Sequence, residues 1–203
     1  GRPFFRLLVP VRDTVLVGAR NAILNISAQD LSLRSVIEWP VSEADAFNCQ
    51  RKGRSLAHDC QNYIKVLLVL DSGNIFACGT NAFSPLCREF RVTPAGRHER
   101  VREHPGDLYA PFDPDLNSTV VLHQGDMFSG SFGGFHGSDP LIFGRNLRTR
   151  QYDANHLNHP NFVHSMTDGR DGVYFFFREI AVEHTNCGKR VVSRVARVCA
   201  SDK

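Results

Sequence analysis

The chain has 203 residues, enough to bury a sizeable core as one domain or part of one. Its 42% hydrophobic and 22% charged content excludes a disordered tail, and a net charge of +3 argues for no particular partner. No run of about 20 apolar residues occurs, so nothing in it reads as a membrane-spanning helix. Neither an initiator Met nor a signal peptide is present, which reads as a processed or excised piece.

Taken in order, residues 4–9 read as a strand ended by Pro10. A turn at Arg12-Asp13 leads to a second strand from Thr14 to Val17, stopped by Gly18. Ala22 to Ile26 and Ser35 to Trp39 are the third and fourth strands. Ser42 to His58 is polar and reads as a loop carrying Cys49. The pattern then recurs, with apolar Tyr63–Leu70, a turn at Asp71-Ser72-Gly73-Asn74 and a strand from Ile75 to Gly79. A third copy starts at Ser118–Leu122, turns at Gln124-Gly125 and runs from Met127 to Gly130. A fourth starts at Phe162-Val163, turns around Gly169–Gly172 and continues from Val173 to Val182. Segments 7–22 and 67–82 share an apolar strand, a hairpin turn, a second apolar strand and a Gly-Asn-Ala turn. A repeat of roughly 40–60 residues with four strands per unit predicts an all-β β-propeller rather than a sandwich. The expected units are 1–58, 59–110, 111–158 and 159–203. In the aromatic run Tyr174–Phe177, alternate side chains are expected to pack against both neighbouring units.

Cysteine and asparagine place the chain in an oxidising, secretory context. Cys49, Cys60, Cys78 and Cys87 lack C-x2–4-C metal spacing. Of the three possible pairings, sequence proximity selects Cys49–Cys60 and Cys78–Cys87. Asn25-Ile26-Ser27 and Asn117-Ser118-Thr119 are N-glycosylation acceptor patterns.

Chemistry is hard to place. His156, His159 and His164 lie in a loop without acidic or Cys partners at ligand spacing, and they read as exposed histidines. Asp113-x-Asp115-x-Asn117 begins like a calcium loop, but Ser118 and Gln124 stand where Gly and Glu are needed. No G-x-S-x-G, H-E-x-x-H or P-loop occurs. We therefore expect no catalysis, metal or cofactor. Arg88, Arg91, Arg97, Arg100 and Arg102 read as a basic loop that could attract heparan sulfate, with no motif for nucleic acid.

DCQNYIKVL followed by CGTNAFSPLC resembles the semaphorin family, in the first half of the sema domain. The resemblance continues through Val17-Gly-Ala-Arg-Asn21, Gly137-Ser-Asp-Pro140, Leu147-Arg-Thr149, Leu157-Asn-His-Pro-Asn-Phe-Val163, Tyr174–Glu179 and Ser193–Cys199, in the family's order. Details around Phe162-Val163 and Glu183-His184 are most similar to classes 1 and 5. The resemblance implies roughly the first four blades of a seven-bladed propeller, in the extracellular part of a transmembrane protein. It implies a guidance ligand that binds plexin receptors as a homodimer and does no chemistry. Plexin would engage the propeller edge near the third and fourth blades, here at Gln151, Tyr152, Asp153 and His156, with Arg148 and Arg150 in support. The family pairs the cysteine at Cys199's place with one further along, so Cys187 and Cys199 are expected to be unpaired here. A plexin-like receptor fragment and a secreted propeller hydrolase are the alternatives.

Overall fold

A computed structural model describes residues 4–93, 96–184 and 188–202. Alternating apolar strands and tight turns fold into four antiparallel sheets in sequence order. The first holds β1 (Leu7–Val11), β2 (Thr14–Gly18), β3 (Ala22–Ser27) and β4 (Leu33–Glu38). The second holds β5 (Ile64–Val69), β6 (Ile75–Gly79), β7 (Leu86–Val92) and β8 (His98–Pro105). The third holds β9 (Thr119–His123), β10 (Asp126–Gly133) and β11 (Asp139–Phe143). The fourth holds β12 (Asn161–Thr167), β13 (Gly172–Ile180) and β14 (Val191–Cys199). Turn chemistry fixes these meanders. Gln124 and Gly125, at φ 50° and 85°, form the two-residue turn between β9 and β10, whose twist suits a hairpin.

Successive sheets meet along their first strands, β1 with β5, β5 with β9 and β9 with β12. Each junction is a separate apolar core. Leu16, Ile23, Ile37 and Trp39 pack on Ile64, Leu67, Ile75 and Phe90 between the first two sheets. Val66, Phe76 and the Cys78–Cys87 bridge meet Val120 and Met127 at the next junction. Phe128, Phe132 and Ile142 meet Phe162, Val173, Phe175 and Phe177 at the last. β5, like β6, serves two cores because alternate side chains point to opposite faces, and a bulge at Lys65, between Ile64 and Val66, moves Ile64 onto the face of Leu67. Ile64 and Leu67 thereby face one neighbour while Val66 and Leu68 face the other. The sheets do not close into a ring.

Several expectations need correction. Pro10 does not end the first strand but pairs with Val15 inside β1, an edge position where a missing N–H is tolerated. The supposed loop from Ser42 to His58 contains a helix, α1 (Glu43–Arg51). Ser42 caps it by accepting from the Asp45 N–H at 3.1 Å, Glu43 and Asp45 suit its N-terminus, and Gly53 at φ 80° closes it. The expected four strands per unit hold for the first two sheets; the third and fourth have three each among the described residues. The five arginines from Arg88 to Arg102 lie not in a loop but mostly on the β7–β8 hairpin. In the aromatic run, Phe175 and Phe177 enter the core, whereas Tyr174 and Phe176 lie half-buried on the opposite face.

Both disulfides, Cys49–Cys60 and Cys78–Cys87, are present, with Cα separations of 5.7 and 4.0 Å. The first ties α1 to the segment leading into β5. The second links directly opposed residues of β6 and β7 rather than enclosing a free turn. Cys199 is a free thiol, and Cys187 lies outside the described residues.

Candidate functional site

Segment 147–158 follows β11 and doubles back along its outer edge. Arg148 bridges Phe143, and Thr149 exchanges bonds with Ile142 through its backbone N–H (3.0 Å) and by accepting the Ile142 N–H on Oγ1 (2.9 Å). Residues 147–152 thus stand where a fourth strand of the third sheet would be. Further along, the Gln151 amide donates to the Asp139 carboxylate, and the Tyr152 backbone N–H lies near enough to favour that group's charged form. Asp139 is 3% exposed, and burial pushes its pKa up against the lowering effect of that N–H and of Arg148.

Tyr152 has φ 55° and is 82% exposed. An aromatic residue in the left-handed region costs of order 1–3 kcal/mol and persists only where its surroundings over-determine it. The chain then turns. Asp153 accepts the Asn155 N–H at 3.0 Å on its side chain, and its backbone carbonyl accepts the His156 N–H at 3.0 Å. Arg150 at 3.6 Å and His156 at 3.3 Å flank the same carboxylate. The Asn155 N–H, helped by these neighbours, holds Asp153's pKa below the usual range. Leu157 plugs into the core between the third and fourth sheets. Asn158 latches the segment to β13 through Glu179 Oε2 (2.9 Å) and the Ile180 carbonyl (2.9 Å), and Arg194 steadies Glu179 from β14. Beside the loop lies an open pocket of about 510 Å³, floored by Phe132, Pro140 and Leu157 and rimmed by His136, Tyr152 and His159.

The expected contact residues therefore play different parts. Arg150, Asp153 and His156 form one cluster, Tyr152 projects, Gln151 is committed inward, and Arg148 lies exposed on the outer edge. Sequence reading missed the two buried acids beneath the segment, Asp139 and Glu179. The Gly137-Ser-Asp-Pro140 motif was the available signal for the first.

The other sites separate as well. His164 stacks on Phe176, away from His156 and His159, and no group of three or more metal-binding side chains occurs among the described residues. In the calcium-like segment, the Lys65 ammonium donates to the carbonyls of Pro114 (2.5 Å) and Leu116 (2.8 Å), and Asp115 pairs with His58 at 3.3 Å. Arg88, Arg91 and Arg100 face Glu103, Glu99 and Glu103, so paired acids weaken the field that a sulfated polysaccharide would meet. Asn117 is exposed, whereas Asn25 sits mid-strand in β3 with its Oδ1 buried.

Meandering antiparallel sheets packed in succession around their first strands, with two local disulfides, define a segment of propeller type. No protein-family model matches the chain. It is 46% identical to Semaphorin-1A of Schistocerca americana over 201 residues, covering 98% of this chain and 27% of that protein. It is 43% identical to mouse Semaphorin-5B over 208 residues, covering 99% of this chain and 18% of that one. The extracellular domains 1-2 of Drosophila Semaphorin 1b superpose with a TM-score of 0.88 at 39% identity, over 98% of this chain and 38% of that one. A structure of Drosophila Plexin A in complex with Semaphorin 1b matches with the same values. Plexin A4 is similar at 16% identity and a TM-score of 0.64, which concerns the fold alone. The chain belongs to the semaphorin family, and its similarity to Semaphorin-1A and Semaphorin-5B fits classes 1 and 5. It spans about a quarter or less of the length of these two relatives.

Proposed function

We propose that this segment is the receptor-binding part of an extracellular guidance ligand that engages a plexin through the edge formed by residues 148–156. The carrying observation is the 39% identity and the superposition, over 98% of this chain and 38% of the other, on Semaphorin 1b, a protein solved in complex with Plexin A. The loop's build supports the same reading. A rigidly held, outward-facing aromatic beside an Arg150–Asp153–His156 cluster and an apolar pocket has the composition of an interface anchor. The ligand works by bringing receptors together, as a homodimer at the cell surface in the ectodomain of a transmembrane protein, and needs no catalytic group. The sheets are taken as successive blades divided at residues 58, 110 and 158.

The test is binding of the full ectodomain to single plexin ectodomains by surface plasmon resonance. Tyr152→Ala is expected to weaken binding about tenfold or more without moving the thermal midpoint. Unchanged affinity in Tyr152→Ala, with no loss in Arg150→Ala or His156→Ala, ends this placement of the contact. A preference for semaphorin over plexin ectodomains would favour the receptor reading instead.

A further inference from the structure

We infer that Asp139 is the positioning residue of the proposed receptor loop: its buried carboxylate oxygen holds Gln151, the residue before Tyr152, and so sets the outward stance of the Tyr152 ring. The inference rests on the function proposed above and deepens it by assigning the residue that organises the contact.

Three observations carry it. Asp139 opens β11, with its Cα fixed opposite Gly133 of β10, so its side chain starts from the rigid part of the third sheet. It is 3% exposed and accepts the side-chain amide of Gln151, the residue next to Tyr152 in the loop. Tyr152 meanwhile occupies the left-handed region at φ 55°, which an aromatic residue leaves unless something holds it there. The regular ladder beside β11 is exhausted by Thr149, so a side chain takes over as acceptor at the point where the backbone departs for solvent. Space is provided for it. A Cβ on Gly133 would stand 3.2 Å from Asp139 Oδ2, so a larger residue there would press on the acceptor. The other oxygen, Oδ1, is buried without a hydrogen-bond partner. A single acceptor oxygen therefore does the holding, and a neutral amide oriented the same way can replace it.

That last point supplies a test that a merely space-filling role would not pass. Amide hydrogen exchange is followed on the full ectodomain, alongside plexin binding. Asp139→Ala removes the acceptor and is expected to speed exchange of the 151–153 amides about tenfold and to weaken plexin binding by a similar factor. Asp139→Asn keeps one oxygen in place and is expected to stay within about threefold of the parent in both readouts. Gln151→Ala, at a partly exposed position, removes one donor and is expected to speed exchange about threefold, covering the case in which Asp139→Ala fails to fold. Unchanged exchange at 151–153 in Asp139→Ala or Gln151→Ala overturns the inference, as does an Asp139→Asn that behaves like Asp139→Ala. If these variants loosen the loop while Tyr152→Ala, Arg150→Ala and His156→Ala all bind plexin normally, the positioning role stands and the receptor placement falls.

Discussion

Replacing Asn62 by Ala should cost about 2–6 kcal/mol, although the substitution touches neither a large apolar side chain nor a charge. Asn62 is fully buried and joins both copies of the internal repeat. Its Nδ2 donates to the Trp39 carbonyl at 3.0 Å, and its Oδ1 accepts the Asn81 N–H at 3.1 Å. Its backbone N–H donates to Asn21 Oδ1 at 2.9 Å, and its carbonyl accepts the Asn21 N–H at 2.6 Å. Truncation leaves the backbone bonds but orphans the Trp39 carbonyl and the Asn81 N–H, each a buried group costing about 1–3 kcal/mol. The loss lands on a turn already under load. Asn81, Ala82 and Phe83 have φ of 40°, 55° and 59°, three consecutive left-handed residues that cost roughly 1–2 kcal/mol each. Against a typical total of about 5–15 kcal/mol, the effect should be plain in a urea titration. Trp39, the sole tryptophan of these residues, is buried next to the deleted amide and reports the transition by its emission. Gly79→Ala supplies an independent arm, because its Cβ would overlap Asn62 Oδ1, and the two losses should be markedly less than additive. A midpoint shift worth under about 0.5 kcal/mol in Asn62→Ala would refute the view that the paired turns hang on this amide.

Removing the Cys78–Cys87 bridge by double alanine substitution should lower unfolding free energy by about 2–3 kcal/mol, read from denaturation with and without reductant. For Lys65, burial, with Arg6 adding to it, pulls the pKa to about 7, against the opposing pull of Asp115 and Asp113. The folded chain then holds fewer protons than the unfolded one between pH 7 and about 10, so this group makes stability rise with pH there, by at most about 1.4 kcal/mol per unit. The slope should be missing in Lys65→Met, and identical pH profiles for the two proteins would exclude a strongly perturbed Lys65. Glycopeptide mass spectrometry of secreted protein should find a glycan on exposed Asn117 and none on Asn25, half-buried in the middle of the inner strand β3 with its Oδ1 covered.

How much of this could be read in advance depends on whether the cause was local. The repeated Gly-Asn-Ala turns were visible because Asn is among the few residues that tolerate positive φ, and both Asn21 (φ 61°) and Asn81 (φ 40°) adopt it. The hairpins were visible because their strands alternate or run apolar. α1 was not, since Cys49 is its only buried residue and no apolar stripe marks a helical period. β8 was hidden for the opposite reason. Its sequence HERVREHP looks like a charged loop until Arg88 finds Glu103 and Arg91 finds Glu99 across β7.

The loop at 147–158 divides along the same line. Asp153 as a turn cap and Leu147 and Leu157 as anchors could be inferred, because a cap and an apolar plug act on their own neighbourhood. Glu179 could not, and Asp139 only as a member of the Gly137–Pro140 motif, with nothing local to say that it would be buried. Each is an acid that is tolerable when buried because residues outside its own strand bring it donors, Gln151 to one and Asn158 and Arg194 to the other. The two acids sit on different sheets, β11 and β13, and grip the two ends of one exposed segment. The loop's shape is therefore a property of the junction between the sheets rather than of the loop's own sequence. If the proposed contact is right, changes in the Phe132–Phe162–Phe177 packing beneath it should weaken plexin binding, read by surface plasmon resonance, even where every exposed side chain is kept.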